Sequence, residues 1–226
     1  MNPEPYIFDQ FEADAVPPEL MDSLWAAGWR HFGSRFFRYS IQFDDASGEM
    51  QLIQPLRIDL SAFAPSRSQR RTLAVNTDVS WEIVPARLDE DVQELFHRHK
   101  QRFFSNVPES IFDFLSRDNP ATRPCQCLEF RALVDGELMA ASFLAVGKSA
   151  TSSIYGIFDP EFARRSPGTL TMLKEIEHSI AMGCRYYYPG YATREKSAYD
   201  YKKRFAALER LDWASAEWRP LNAPED

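Results

Sequence analysis

The stretch "LEFRALVDGELMAASFLAVG", residues 128 to 147, decides the fold. Two apolar runs rich in strand-forming residues flank Asp135-Gly136, a pair that adopts the positive φ angles of a tight hairpin turn. "SSIYGIF" (152–158) adds a third strand. "DPEFARRSPGTLTMLKEIEHSIAMG" (159–183) then predicts a basic loop followed by a helix, with Leu170, Leu173, Ile176 and Ile180 turned inward and Gly183 as the stop. "CRYYYPG" (184–190) predicts another strand, and "LERLDWASAEWRPL" (208–221) further extended structure. "EKSAYDYKKRF" (195–205), between them, predicts a helix.

Upstream, "PPELMDSLWAAG" (17–28) predicts a short helix with Leu20, Met21, Leu24 and Trp25 as its apolar residues. "SRFFRYSIQF" and "EMQLIQPLRIDL" predict two strands joined through "DDASG", with Arg35, Arg38 and Arg57 in or beside the hairpin. A basic segment, "SRSQRRTLAVN", precedes the strand "VSWEIVP". In "LDEDVQELFHRHKQRFF", Val92, Leu95, Phe96, His99 and Phe103 share a helical face, and acids crowd the first turn where the helix dipole favours them. His97 and His99 lie two apart on different sides of this helix, which suits surface or core-edge histidines rather than a metal pair. The expected organisation is an acidic segment (1–19), an N-terminal region with a basic segment (20–124) and a C-terminal domain (125–226).

The 226 residues, 44% of them hydrophobic, are enough for a substantial core. No apolar run reaches the length of a membrane span, and the acidic, proline-broken N-terminus does not resemble a signal peptide, so a cytoplasmic protein is expected. Cys125, Cys127 and Cys184 are an odd set whose C-x-C spacing is too tight for the usual zinc pair; buried or free thiols are expected, with no metal and no cofactor. The net charge of −7 conceals an uneven distribution. Residues 1–22 carry six acids and no Lys or Arg, while 28–71 hold seven Arg against four acids and 194–204 hold five basic residues against two acids. Two basic patches on an acidic chain are compatible with a polyanionic partner and equally with solvated faces.

Hairpin, third strand, basic loop, helix and strand follow one another in the order of the GNAT-like acyltransferase fold, an α+β mixed sheet flanked by helices, here with a smaller N-terminal α/β part. In such a fold the start of the helix receives phosphate on unpaired N–H groups. On that reading "RRSPGT" supplies amides from Ser166, Gly168 and Thr169, with charge from Arg164 and Arg165.

Four segments carry a closer resemblance: "AAGWRHFGSRFFR" (26–38), "PSRSQRR" (65–71), "FDPEFARRSPGT" (158–169) and "YYYPGY" followed by "YKKRF" and "LE" (186–209). In this order they resemble the signature segments of the aminoacyl-tRNA protein transferases, the arginyl and leucyl transferases that tag protein N-termini. The resemblance implies an aminoacyl-tRNA co-substrate and an acceptor that is a protein or peptide N-terminus, or a small-molecule amine. It implies phosphate contacts from Arg67, Arg70 and Arg71 beside the loop residues. It also implies a reaction site at Tyr191, Tyr201 and Lys202, with Tyr188 and Lys196 binding substrate. Aminolysis of an activated ester needs mainly positioning and modest help in deprotonating an amine, so no triad, P-loop or metal motif is required. The chain departs from the family pattern: it has no cysteine before Cys125, and Pro189, Ala192, Thr193, Ala198, Tyr199 and Ala207 replace distinctive residues. Ala198, where the family has a lysine, removes a charge. Two functions therefore stay open, a working aminoacyltransferase and a lapsed relative that binds tRNA or peptide N-termini without transfer.

Overall fold

The computed structural model describes residues 5–44, 48–103, 107–195, 197 and 200–222. Strands β1 (Phe8–Glu12), β2 (Arg30–Phe32) and β3 (Arg35–Tyr39) form a small antiparallel sheet in the order β1-β3-β2, and helix α1 (Pro18–Ala26) lies between β1 and β2 in the chain. There follow β4 (Ile41–Asp44), β5 (Glu49–Asp59), α2 (Arg67–Ala74), β6 (Ser80–Pro85) and α3 (Glu90–Lys100). The C-terminal half contributes β7 (Cys127–Val134), β8 (Glu137–Val146), β9 (Ala150–Phe158), α4 (Pro167–Ala181), β10 (Tyr186–Thr193), β11 (Leu208–Leu211) and β12 (Trp218–Pro220). Among the described residues these give one nine-stranded sheet, β12-β11-β5-β10-β9-β8-β7-β6, with β4 paired on β5.

The hairpin at Asp135-Gly136 forms with both residues at positive φ. Residues 139–146 of β8 are all buried, because α3 and α1 pack on one face of the sheet and α4 on the other; a strand covered on both sides has no need of polar alternation. The first core gathers Met21, Trp25, Phe96, Phe143 and Ile157; the second gathers Leu56, Ile58, Leu144, Leu173, Ile176 and Tyr187. Cys125, Cys127 and Cys184 are buried free thiols, and burial raises the pKa of each. His99 is likewise a core residue, its ring against the backbone of Phe158 and its pKa pulled down to about 4 by burial.

The structure corrects several expectations. "SRFFRYSIQF" is two strands in two sheets: the chain turns at buried Ser40, whose hydroxyl donates to Pro5 O and accepts from the Ile7 amide. Ile180 is 46% exposed, because the buried face of α4 runs instead through Thr171, Glu175 and Ser179. The helix expected at 195–205 is, among the described residues, a single 3-10 turn at Lys202–Arg204. Of the fully apolar side chains among the described residues there, Phe205 alone is anchored in a core, too little for an amphipathic helix. The soft boundary expected near residue 125 is neither drawn nor removed by the fold; the large sheet takes strands from both sides of it, with β5 between β10 and β11 and β6 paired with β7.

Candidate active site

Neighbouring strands of the large sheet are antiparallel, β9 and β10 excepted. Their parallel pairing runs Tyr186↔Ala150, Tyr187↔Thr151 and Tyr188↔Ser152 and stops there, although the strands continue to Thr193 and Phe158. Past that point the strands part, and the backbone edges of the split are open to side chains from elsewhere.

Arg30 of β2 fills the start of this split. Its guanidinium donates to Ser152 Oγ (3.2 Å) and to Ile154 O (3.3 Å), with 9% of the residue exposed. It lies against Gly190, where a Cβ would stand 2.9 Å from Nη1, so only glycine, here at φ +100°, admits it. Burial pulls the Arg30 pKa below the ordinary guanidinium value.

From α4, Glu175 is fully buried and accepts a 2.5 Å hydrogen bond from the Tyr187 hydroxyl. Its other oxygen and the buried Ser142 hydroxyl have no hydrogen-bond partner among the described residues. Burial drives the Glu175 pKa up to about 7, against the hydrogen bond from Tyr187 and the charge of Lys202. Lys202, half-buried on its 3-10 turn, is close enough to feel both neighbours. Burial and then Arg30 lower its pKa to about 7, against the attraction of Glu175. Tyr201 is half-buried, its hydroxyl 4.0 Å from where a Cβ of Gly168 would stand at the start of α4.

The helix start is less open than the sequence implied. The Ser166 amide donates to Ala163 O (3.1 Å) and the Thr169 amide to Ser166 O (3.0 Å), which leaves Gly168, of the three, without an intramolecular acceptor among the described residues. Arg164 is exposed. Arg165 is spent internally on Asp78 (2.8 and 2.9 Å), and its carbonyl accepts from Asn76 at the end of α2 (3.1 Å). Helix α2 packs against α4 and begins with a capping box between Ser66 and Gln69. Arg67, Arg70 and Arg71 are exposed on it, and Ser66, Arg67, Ser68 and Arg71 line an open depression of about 580 Å³. Asp59 is held by Arg185 (2.7 Å).

Two tyrosines are turned elsewhere. Tyr188 is buried between Trp25 and Trp218, and its pKa is pushed up to about 12 by burial; no surface remains for a substrate. The Tyr191 hydroxyl donates to Gly28 O (2.7 Å), and its ring stands edge-on to Phe37 and Tyr39, bracing β10 on the N-terminal sheet. Lys196 lies outside the described residues. Sequence reasoning overlooked Arg30 and Glu175. For Glu175 a signal existed: Thr171, Glu175 and Ser179 repeat every four residues, a polar stripe on a helix otherwise facing the sheet. Arg30 gave none, because its environment is assembled from β9 and β10, more than 120 residues away.

Residues 90–212 match the family described as Arginine-tRNA-protein transferase, C terminus. The chain belongs to this family. Among curated relatives, the aspartate/glutamate leucyltransferase of Marinobacter nauticus is 29% identical over 210 residues, covering 92% of this chain and 84% of the relative. That of Xanthomonas axonopodis pv. citri is 34% identical over 185 residues, 75% of this chain and 69% of the relative. Among solved structures, L-PGS from Bacillus licheniformis superposes with a TM-score of 0.48 at 12% identity, covering 84% of this chain and 54% of that one. FemX gives 0.47 at 12% identity, covering 85% and 65%. The family is one of aminoacyltransferases. Among the described residues no helix is long and apolar enough to cross a membrane, and no three His, Cys, Asp or Glu side chains gather into a metal-binding group.

Proposed function

We propose that the protein moves an amino acid, leucine as in the relatives' names, from its tRNA ester to the N-terminal amine of a protein that begins with Asp or Glu. The observation that carries this reading is Arg30 bonded into the strand split, with Lys202 and Glu175 within electrostatic reach of one another and Lys202 within reach of Arg30, on a fold in which basic α2 packs against α4. On this reading Arg67, Arg70, Arg71 and Arg164 hold tRNA phosphates, the Gly168 amide takes one at the helix start, and the 3′ end enters the split past Tyr201. An acceptor ammonium loses two protons on becoming an amide. The first passes to the neutral amine of Lys202, which a pKa of about 7 leaves substantially deprotonated at neutral pH, and from there to solvent. The amine attacks the ester carbonyl; a C–N bond forms and the C–O bond to the ribose breaks, and the departing ribose oxygen takes the second proton. The reaction balances without a further reagent.

Purified full-length protein is incubated with leucyl-, arginyl- and phenylalanyl-tRNA in turn and with peptides of varied first residue, and mass spectra are recorded. A one-residue mass gain from leucyl-tRNA on Glu- and Asp-peptides is expected. Lys202→Ala should lower the rate about 10²-fold with an unchanged melting temperature. No transfer from any charged tRNA, with tRNA binding retained, would establish the lapsed-relative reading instead.

A further inference from the structure

Arg30 is a buried cation with no carboxylate at ion-pair distance among the described residues. Arg131, equally buried, shows the ordinary solution: Asp89 at 2.8 Å, Glu129 at 3.0 Å and Asp91 at 3.2 Å surround it. The recorded acceptors of Arg30 are instead neutral, a serine hydroxyl and a backbone carbonyl. An uncompensated buried charge is costly, and a neutral side chain of similar shape would serve the fold better. The carboxyl whose field reaches Arg30, Glu175, is bonded to Tyr187 on the α4 side. The split is thus built around one buried guanidinium whose hydrogen-bond acceptors are neutral, with Gly190 making room for it.

We infer that Arg30 is the residue that reads the acceptor, binding the side-chain carboxylate of its first residue in the split between β9 and β10. This rests on the transferase reading above and adds the group that makes the acceptor acidic. A carboxylate one or two methylenes from the carbon that bears the reacting amine is small enough to reach a guanidinium recessed beside Lys202. The tRNA phosphates are bulkier and have exposed arginines on α2. Charge-assisted hydrogen bonds from a guanidinium also distinguish a carboxylate from an amide of the same shape.

The test compares peptides differing only in a first residue of Glu or Gln, with charged tRNA, on wild-type protein, Arg30→Met and Arg30→Lys. Wild-type kcat/KM should favour Glu by roughly 10- to 100-fold. Arg30→Met should bring the ratio near one, and Arg30→Lys should restore part of it, with the KM for charged tRNA unchanged in both. Should Arg30→Met fail to fold, wild-type melting curves with each peptide alone decide: the Glu peptide should raise the melting temperature and the Gln peptide should not. Equal wild-type preference, an unchanged ratio in Arg30→Met, equal stabilisation by both peptides, or a raised tRNA KM with the ratio intact would overturn the assignment; the last would make Arg30 a phosphate contact. Glu-selective stabilisation of a wild-type protein that transfers nothing would sink the transferase reading and leave the carboxylate site standing.

Discussion

Glu175 sits in the middle of a helix, fully buried, with one oxygen bonded to Tyr187 and the other unbonded. Its pKa is raised in the folded protein from 4.5 to about 7, so the folded state holds a proton that the unfolded chain has released across that interval. Stability from this group is therefore complete below pH 4.5 and is lost as pH rises through 7. Glu175→Gln keeps an acceptor for Tyr187 and removes the titration. The variant should match wild type at pH 4.5 and exceed it at pH 8 by up to about 3 kcal/mol, read from denaturant melts at both values. His31 and His99, both lowered to about 4 by burial, act in the opposite sense, but they are common to both proteins and cancel in the difference. An equal gain at both pH values would mean relief of packing strain rather than of charge. At this scale the sequence was informative where the signal lies in neighbouring positions, as in the four-residue spacing of Thr171, Glu175 and Ser179. It was silent where partners come from afar: the run of three tyrosines at 186–188 gives no hint that the first packs on Arg57, the second binds Glu175 and the third lies against Trp25.

Among the elements, α2 and α4 divide the positive charge in a way composition did not reveal. Both loop arginines before α4 were expected on phosphate, yet Arg165 closes onto Asp78 and fastens the loop to α2, leaving Arg164 and the three arginines of α2 exposed. Asp59 and Asp78 are occupied by Arg185 and Arg165 rather than by the α2 arginines, which strengthens the case for an external partner. Binding of tRNA should weaken steeply with salt, and Arg70→Ala should reduce the log–log slope by about one unit, as for the loss of a single phosphate contact. Arg165→Ala should cost stability instead. An unchanged slope in Arg70→Ala would assign this residue to its bond with Pro65 O (2.6 Å). The order of strands and helix was legible because hairpin turn, apolar run and helix stop are local signals. The 195–205 segment was misjudged because its helical spacing lacks the apolar stripe that would dock it.

At the scale of the whole molecule, sequence suggests a catalytic half beginning near residue 125, whereas the sheet is threaded from both halves. Strand β5 pairs with β10 on one side and β11 on the other, and Leu56 and Ile58, each at most 1% exposed, lie in the α4-side core. Met21, Trp25 and Phe36 occupy the opposite core together with residues of β8 and β9. Register across a sheet is a long-range property, which is why no composition shift marked it. Truncation at residue 125 would open both cores and strip β10 and β11 of a shared neighbour. Each large buried side chain removed costs roughly 2–5 kcal/mol in comparable cores, so five such losses, about 10–25 kcal/mol, match or exceed the roughly 5–15 kcal/mol that holds an ordinary domain together. A 125–226 fragment should therefore show no cooperative thermal transition and poor near-UV circular dichroism, while the full chain melts as one unit. Limited proteolysis of the full chain should likewise release no stable fragment starting near 125. A 125–226 fragment that folds cooperatively would mean that β10 and β11 close on each other without β5, and Arg30, on β2, would then reach the split from a separately folding part, making the site an interface between two domains.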